Sequence, residues 1–322
     1  MMPKPVVFFI VGPTASGKTD AAVEAALALG GEIVSADAIQ IYRRLDRGSA
    51  KPSEEEKRGV PHHLIDFVDH TDGDYNVARF AADAARVIED ITARGRAPIV
   101  AGGTGLYVNS LLYPLDFTEV KPDRALRERL EAEERAVPGS LHERLREVDP
   151  VSYARLHPND VKRIVRALEV HELTGRSLTE CGGDFANGRG GEIPYEPVIA
   201  GLMMERSLLY ERIDRRVDAM IKNGLAEEAL GLIREAGEDL PLSLQAIGYK
   251  QFTAYYEGLS TFQETVGLIK RDTRRFAKRQ IAWFKRDERI RWFDTEAFPD
   301  RGALHTAMID YFKEERDRIE RS

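Results

Sequence analysis

The stretch Gly12-Pro13-Thr14-Ala15-Ser16-Gly17-Lys18-Thr19 constrains this chain more than any other. It follows an apolar run, Val6 to Val11, that reads as a buried strand, and it opens an alanine-rich helix ending near Gly30-Gly31. Strand, glycine loop and helix in that order are the context the GxxxxGK[ST] pattern requires. Gly12 and Gly17 permit backbone angles and close approaches that a side chain would forbid, so successive amide N–H groups can turn inward around an anion. The helix that follows points its positive end at the same spot. Lys18 adds a full charge, and the Thr19 hydroxyl is placed to reach a magnesium ion. Gly12, Thr14, Ala15, Ser16, Gly17, Lys18 and Thr19 are therefore the candidate contacts of a polyphosphate. The motif leaves open whether those phosphates belong to ATP, to GTP or to another carrier of a pyrophosphate.

With 322 residues the chain can bury a large core, as two lobes or as one core domain with an insertion. No apolar run is long enough to span a bilayer, and residues 1 to 11 enter the first strand with no signal-peptide layout. Cys181 is the single cysteine, which excludes an internal disulfide framework and a cysteine-based zinc site. A cytoplasmic protein is expected. The net charge of −7 argues against nucleic acid when taken alone. Between Lys270 and Arg291, though, ten Lys or Arg stand against three Asp or Glu, so a phosphate-bearing partner fits that end.

The second apolar run, Glu32 to Asp37, is a short strand ending in a carboxylate. A parallel strand joined to the first through the intervening helix releases Asp37 at the carboxyl edge of the sheet, beside the phosphate loop. Asp37 is a candidate general base, with a magnesium ligand or a solvated strand-end aspartate as the other readings. Asn76 to Arg94 is a helix with Val77, Phe80, Ala84, Val87, Ile88 and Ile91 on one face and Gly95 at its end. A strand over Pro98 to Ala101 then leads into Gly102-Gly103-Thr104-Gly105, a second glycine turn at the same edge, where backbone can approach a ligand and Thr104 offers a hydroxyl. His62 and His63 invite a metal reading. Neighbours on an extended chain point in opposite directions, and no third ligand stands at suitable spacing, so they read as satisfied loop histidines.

From about Lys121 the buried-strand pattern stops. Residues 121 to 147 are dense in Arg and Glu with leucines at helical spacing, and Pro158-Asn159-Asp160 opens a further helix carrying Lys162, Arg163 and Arg166. Residues 181 to 192 hold five glycines and no apolar periodicity, the pattern of a mobile loop. The core resumes with a strand near Tyr195 to Met204, with Arg206 at its end, and a helix from Ser207 to Leu225. A helix from about Thr265 to Arg286 carries Ile269, Phe276, Ala277, Ile281 and Phe284 on one face. Its other face carries Arg271, Arg274, Arg275, Lys278 and Lys285, a stripe that repels itself unless something anionic meets it. The expected fold is α/β: a phosphate-loop core with a parallel sheet flanked by helices, over residues 1–120 and 195–322, and an all-helical insertion over residues 121–194.

Taken together, these blocks resemble a known family. GPTASGKT, SADAIQIYR, GSAKP followed by PHHLID, GGTGLY, HPNDVKRIVRALEV and AKRQIAWF are similar to the corresponding segments of the bacterial tRNA dimethylallyltransferases, also called tRNA isopentenyltransferases. The resemblance spans about residues 5 to 295. Ala38 and Gly105 occupy positions where members of the family often carry other residues, and neither change removes a functional side chain.

The resemblance implies transfer of a dimethylallyl group from dimethylallyl diphosphate to N6 of the adenine on the 3′ side of the anticodon in tRNA. Carried across position by position, it implies that Asp37 accepts the proton from N6 and that Thr104 assists at the diphosphate end. It implies that Thr14 to Thr19 and Arg206 hold the diphosphate, with Mg2+ near Thr19. Contacts to tRNA are implied for Asp37, Ala38, Ile39 and Gln40, for Lys162, Arg163, Ile164, Val165 and Arg166, and for Gln245, Gly248, Tyr249 and Lys250. A monomer without membrane association is implied as well. The chemistry is consistent with the residues. Allylic substitution needs a stabilised pyrophosphate leaving group, an adenine amine needs a carboxylate as its proton departs, and N6 in a stacked loop must be flipped out to react. Two alternatives are a kinase, against which no apolar strand ending in a second magnesium-binding Asp is found, and the same prenyl transfer to free AMP or ADP.

Overall fold

A computed structural model describes residues 4–113, 123–181, 192–237 and 239–321. Apart from its two ends, the stretch read as a mobile loop over residues 181 to 192 lies outside the described residues, as does Lys121, where the helical insertion is expected to begin. Contacts divide the chain into two compact units, Met1–Leu112 with Pro194–Ser322, and Tyr113–Ile193.

The first unit begins β1 (Val6–Val11), α1 (Lys18–Leu29), β2 (Gly31–Ser35), α2 (Glu54–Lys57), β3 (His62–His63), α3 (Val77–Ala93), β4 (Ala97–Gly102) and α4 (Gly105–Leu112). The second unit supplies α5 (Arg124–Ala136), α6 (Ser140–Val148), α7 (Pro150–Arg155) and α8 (Val161–Thr174). The first unit then resumes with β5 (Glu196–Met203), α9 (Arg206–Lys222), α10 (Leu225–Ala236), α11 (Lys250–Tyr256), α12 (Phe262–Phe284), β6 (Arg291–Asp294) and α13 (Arg301–Glu320).

The six strands form one sheet in the order β3-β2-β4-β1-β5-β6, and every pairing is parallel. Parallel strands covered on both faces read as continuous apolar runs, and β1, VVFFIV, is buried from its second residue onward. Because β1 lies between β4 and β5, the carboxyl ends of β1, β2, β4 and β5 open on one edge. The phosphate loop, Asp37, the glycine turn at Gly102 and the start of α9 all emerge there.

Ala21, Ala22, Ala25 and Ala26 let α1 lie close on the sheet, while Phe8, Ile33, Val198 and Leu202 of the sheet and Met308 and Phe312 of α13 supply the bulk of that core. The Phe8 and Phe312 rings stand 4.9 Å apart, and burying each such side chain is worth about 1.5–3 kcal/mol. The strands β3 and β6 have no counterpart in the sequence reading, whereas α13 falls among the helices expected at the C-terminal end of the core. Two and four residues are too few for a periodicity to show.

The described residues of the second unit are helical. Leu130, Leu141, Leu145, Ile164, Val165 and Leu168 form its core. Glu169 is wholly buried there. Arg127 donates to both of its oxygens at 2.7 and 2.8 Å, Arg166 at 2.6 Å and the Asp123 N–H at 2.8 Å. Burial alone would raise the Glu169 carboxyl, but these donors hold it below the usual range.

Candidate active site

The phosphate loop is shaped by backbone that few residues tolerate. Gly12 has φ 147°, and a Cβ there would lie 2.6 Å from the Leu202 carbonyl oxygen. Ala15 takes φ 64°, a left-handed angle uncommon outside glycine. Gly17, at φ 94°, precedes α1 and provides no side-chain cap, so the first amides of the helix remain open to an anion. The Ser16 hydroxyl is buried in the loop without a hydrogen-bond partner. In this state the Lys18 side chain folds back, and its Nζ donates to the Pro13 carbonyl at 2.6 Å.

A cavity of about 90 Å³ beside the loop is lined by Thr14, Lys18, Thr19, Asp37, Arg216 and Gln280, with Gln40, His62 and Phe276 among its other walls. A wider cavity of about 550 Å³ shares Lys18, Thr19 and Arg216 with the first and adds Arg47, Lys51, Arg212, Arg215 and Arg301 against Asp20, Asp46 and Glu56. Burial and then the Arg216 charge push the Lys18 ammonium down to about 7, against the pull of Asp37. Burial likewise lowers Arg216, with Asp37 and Glu56 opposing. Two cations thus share a small cavity, and neither forms an ion pair with a carboxylate among the described residues. An anion placed between them removes both penalties.

Asp37 follows β2 in a tight turn. Its Oδ1 accepts from the N–H groups of Ile39 at 2.9 Å and Gln40 at 3.2 Å, so the carboxylate is held in orientation while Oδ2 has no protein partner among the described residues. Thr104 braces the turn, its N–H donating to the Ala36 carbonyl at 3.2 Å and its Oγ1 accepting from the Ala38 N–H at 3.0 Å.

The glycines of the second turn serve packing between protein segments, and Gly102 and Gly103 also lie on the wall of the smaller cavity. A Cβ at Gly102 would strike the Ala36 carbonyl, one at Gly103 would come within 2.2 Å of Gln280, and one at Gly105 within 2.3 Å of Trp283.

Several residues singled out in the sequence stand elsewhere. Arg206 is the first residue of α9, donates to the Tyr210 hydroxyl at 2.9 Å, lies over that ring and lines neither cavity. Arg216, ten residues further along α9, lines both. The signal for it was present: Leu209, Ile213 and Val217 mark the buried stripe, and Arg216 falls three residues after Ile213, on the edge of that stripe. Gln280 was equally visible as a polar residue four positions from both Phe276 and Phe284 on the apolar face of α12.

Gln40 lines the cavity, but its Nε2 donates to the carbonyls of Ser49 and Ala50 at 3.3 and 3.2 Å. Ile164 and Val165 are core residues, 1% and 3% exposed, and so present no side chain to a partner. Tyr249 is fully buried, donating to Glu228 at 2.6 Å, and Gly248 is buried beside it, whereas Gln245 and Lys250 are exposed. Arg163 pairs with Asp160 at 3.3 Å and Arg166 with Glu169, leaving Lys162 without a carboxylate partner among the described residues.

The basic stripe of α12 is also largely matched. Arg274 pairs with Asp214 at 2.5 Å and Lys270 with Asp218 at 2.6 Å, both from neighbouring α9, while Arg271 and Arg275 share Asp272. The self-repulsion expected of that stripe is thus relieved within the protein, with Lys278 and Lys285 outside the pairing. His63 meets Glu32 at 2.7 Å, and His62 Nδ1 meets the Val60 carbonyl at 2.9 Å. His62 Nε2 is buried without a partner, so this histidine is only half satisfied.

Fold and site together define a phosphate-loop α/β protein in which two half-buried cations and an oriented carboxylate line one cavity. Comparison with known proteins narrows that class. A family model described as IPP transferase matches residues 40–287, and the chain belongs to this family of transferases. A tRNA dimethylallyltransferase of Symbiobacterium thermophilum is 49% identical over 286 residues, 88% of each chain. The full-length tRNA isopentenylpyrophosphate transferase of Bacillus halodurans superposes with a TM-score of 0.73 at 38% identity, covering 99% of this chain and 100% of that one. A eukaryotic dimethylallyltransferase acting on tRNA superposes with a TM-score of 0.78 at 26% identity, covering 94% and 78%.

Proposed function

We propose that this protein transfers the dimethylallyl group of dimethylallyl diphosphate to N6 of the adenine 3′-adjacent to the anticodon of tRNA, releasing diphosphate. The observation that carries the reading is the pairing, in one cavity, of unmatched Lys18 and Arg216 with Asp37, whose Oδ2 is free to accept a proton. The names of the relatives supply the prenyl group and the tRNA.

In this mechanism the amides of Ala15 to Thr19, Lys18 and Arg216 hold the diphosphate. Arg216 takes the part that the family resemblance implied for Arg206. The bond between the allylic carbon and the diphosphate oxygen breaks, the electron pair leaves with the diphosphate, and Lys18 and Arg216 stabilise the charge that develops there. The N6 lone pair forms the new bond to carbon, and the N6 proton passes to Asp37 Oδ2. Thr104 lines neither cavity, and its part is to hold the Asp37 turn through Ala36 and Ala38, with its hydroxyl proton left to assist at the diphosphate end.

Magnesium fits this site through one hydroxyl, that of Thr19, which lines the same cavity as Asp37. No cluster of three His, Cys, Asp or Glu among the described residues could hold a metal alone, so the remaining ligands would be diphosphate oxygens and water, as is usual for magnesium. When bound, the ion supplies additional positive charge to the departing diphosphate. Among the described residues, Ala38, Ile39, Lys162, Arg163, Gln245 and Lys250 remain the candidates for tRNA contact that are not committed to the protein's own core. No helix among the described residues is long and apolar enough to cross a membrane. A cytoplasmic monomer is the form we propose.

The test offers labelled dimethylallyl diphosphate and magnesium to unmodified tRNA bearing adenine next to the anticodon and, in parallel, to free AMP. Label on tRNA alone is expected. Label on AMP alone moves the protein to free-nucleotide chemistry, and ATP consumption with no label on either overturns prenyl transfer.

A further inference from the structure

The Gln280 side chain is 6% exposed and its amide is used at both ends. Oε1 accepts from the Thr14 N–H at 2.8 Å, and Nε2 donates to the Gly103 carbonyl at 2.8 Å. The two partners fix the orientation of the amide, since Oε1 can only accept and Nε2 can only donate. Thr14 belongs to the phosphate loop. Gly103 adjoins Thr104, whose two bonds to Ala36 and Ala38 hold the turn carrying Asp37. One side chain from α12, 266 residues from Thr14 in the chain, therefore joins the anion loop to the carboxylate turn.

We propose that Gln280 is a positioning residue that sets the separation between the leaving diphosphate and the Asp37 carboxylate, acting through Thr14 on one side and Gly103-Thr104 on the other. The inference rests on the prenyl-transfer reading above. In-line substitution with concerted loss of a proton requires both ends of the reacting assembly to be held at once, and a misplacement of about 1 Å costs on the order of 100-fold in rate. Neither glycine turn has a side chain of its own to supply this tie. The fit at Gly103, where a Cβ would meet Gln280 Nε2, shows how closely the strut is seated.

The decisive variant is Gln280→Glu. An ionised glutamate keeps the acceptor for Thr14 but sets an oxygen against the Gly103 carbonyl; a protonated glutamate restores the donor and so reproduces the glutamine. In mildly alkaline solution kcat for transfer to tRNA is expected to fall by about 100-fold, with the KM values of both substrates nearly unchanged. The rate relative to wild type is then expected to recover as the solution is made mildly acidic. Lys18, Asp37, Arg216 and His62, the titratable groups of the same cavity, are present in every variant, and Gln280→Leu, which adds no charge, gives the profile they contribute. Gln280→Leu, which has no proton to regain, is expected to remain slow throughout.

A Gln280→Leu enzyme as fast as wild type overturns the inference. So does a loss of rate in Gln280→Glu that does not recover on acidification and that follows a loss of folded protein in thermal melting. Failure of wild type to label tRNA would instead overturn the transfer reading itself, and this inference with it.

Discussion

The helical unit and the phosphate-loop cavity treat their cations in opposite ways. In the helical unit Arg127 and Arg166 close on Glu169, Arg129 and Arg144 on Glu172, and Arg146 on Glu143. In the cavity Lys18 and Arg216 are half-buried with no carboxylate bound to either; loss of water lowers both, and the Arg216 charge lowers Lys18 further. The contrast separates two meanings of a basic residue. Matched cations on a surface hold helices together for a small net gain, whereas unmatched cations out of water store a cost that only an incoming anion relieves. Density of Lys and Arg in the sequence does not distinguish them: the richest stretch, in α12, proves to be mostly matched.

The strongest way to break this comparison is kinetic. Arg216→Ala is expected to lower kcat/KM for dimethylallyl diphosphate by about 10²–10³, the usual consequence of removing a group aimed at developing negative charge. Asp37→Ala is expected to lower kcat by about 10²–10⁴ while affinity for inorganic pyrophosphate survives. Arg274→Ala, which removes a matched cation from the same helix pair, is expected to change either constant less than about threefold. Steady-state assays of the three proteins suffice. Equal losses for Arg216→Ala and Arg274→Ala would erase the distinction between matched and unmatched cations.

A second, smaller effect probes the other side of the comparison. Glu169→Gln leaves Arg127 and Arg166 without their shared charge, and Arg127 and Arg166 keep 39% and 31% of their side chains in water. The cost is therefore expected near 2 kcal/mol, below the about 3–5 of a fully buried pair. Chemical denaturation reads it as an earlier unfolding transition, and an unchanged midpoint would mean that the pairing is incidental.

What could be read from the sequence was whatever the chain encodes locally. The phosphate loop, the strand ends that bring Asp37 and Gly102 to its edge, the helix from Asn76 and the amphipathic α12 each follow from a period or a motif within about twenty residues. Arg216 and Gln280 each showed as a polar residue beside an apolar helical stripe, but what they meet, like the matching of the α12 stripe, depends on contacts across the fold. Asp214 and Asp218 lie on α9, and nothing in α12 announces them. Likewise the glycines of the second turn were legible as backbone at the ligand edge, and Gly102 and Gly103 do line the cavity, but the packing of Gln280 and Trp283 against Gly103 and Gly105 was not. The family resemblance, not a local pattern, pointed to Arg206, and in the structure α9 begins there and brings Arg216 to the cavity.

The smallest expected effect sharpens the comparison most directly, because it reads the stored cost itself. With Lys18 pushed down to about 7, roughly half of this group is neutral at neutral pH. A diphosphate beside Nζ favours the ammonium, so the bound protein has the higher pKa and binding must take up protons. By linkage, the contribution of Lys18 to affinity is complete below about 7 and is lost as pH rises through the higher pKa of the bound state. Calorimetry of inorganic pyrophosphate binding near neutral pH, in buffers of different ionisation enthalpy, counts those protons. Pyrophosphate held by cations releases protons of its own, the opposite sign, so Lys18→Arg, always charged, serves as the reference. The wild-type protein is expected to take up about half a proton more than that variant. No difference between the two would mean that Lys18 is already fully charged before the anion arrives, and that burial in this cavity stores nothing for the ligand to release.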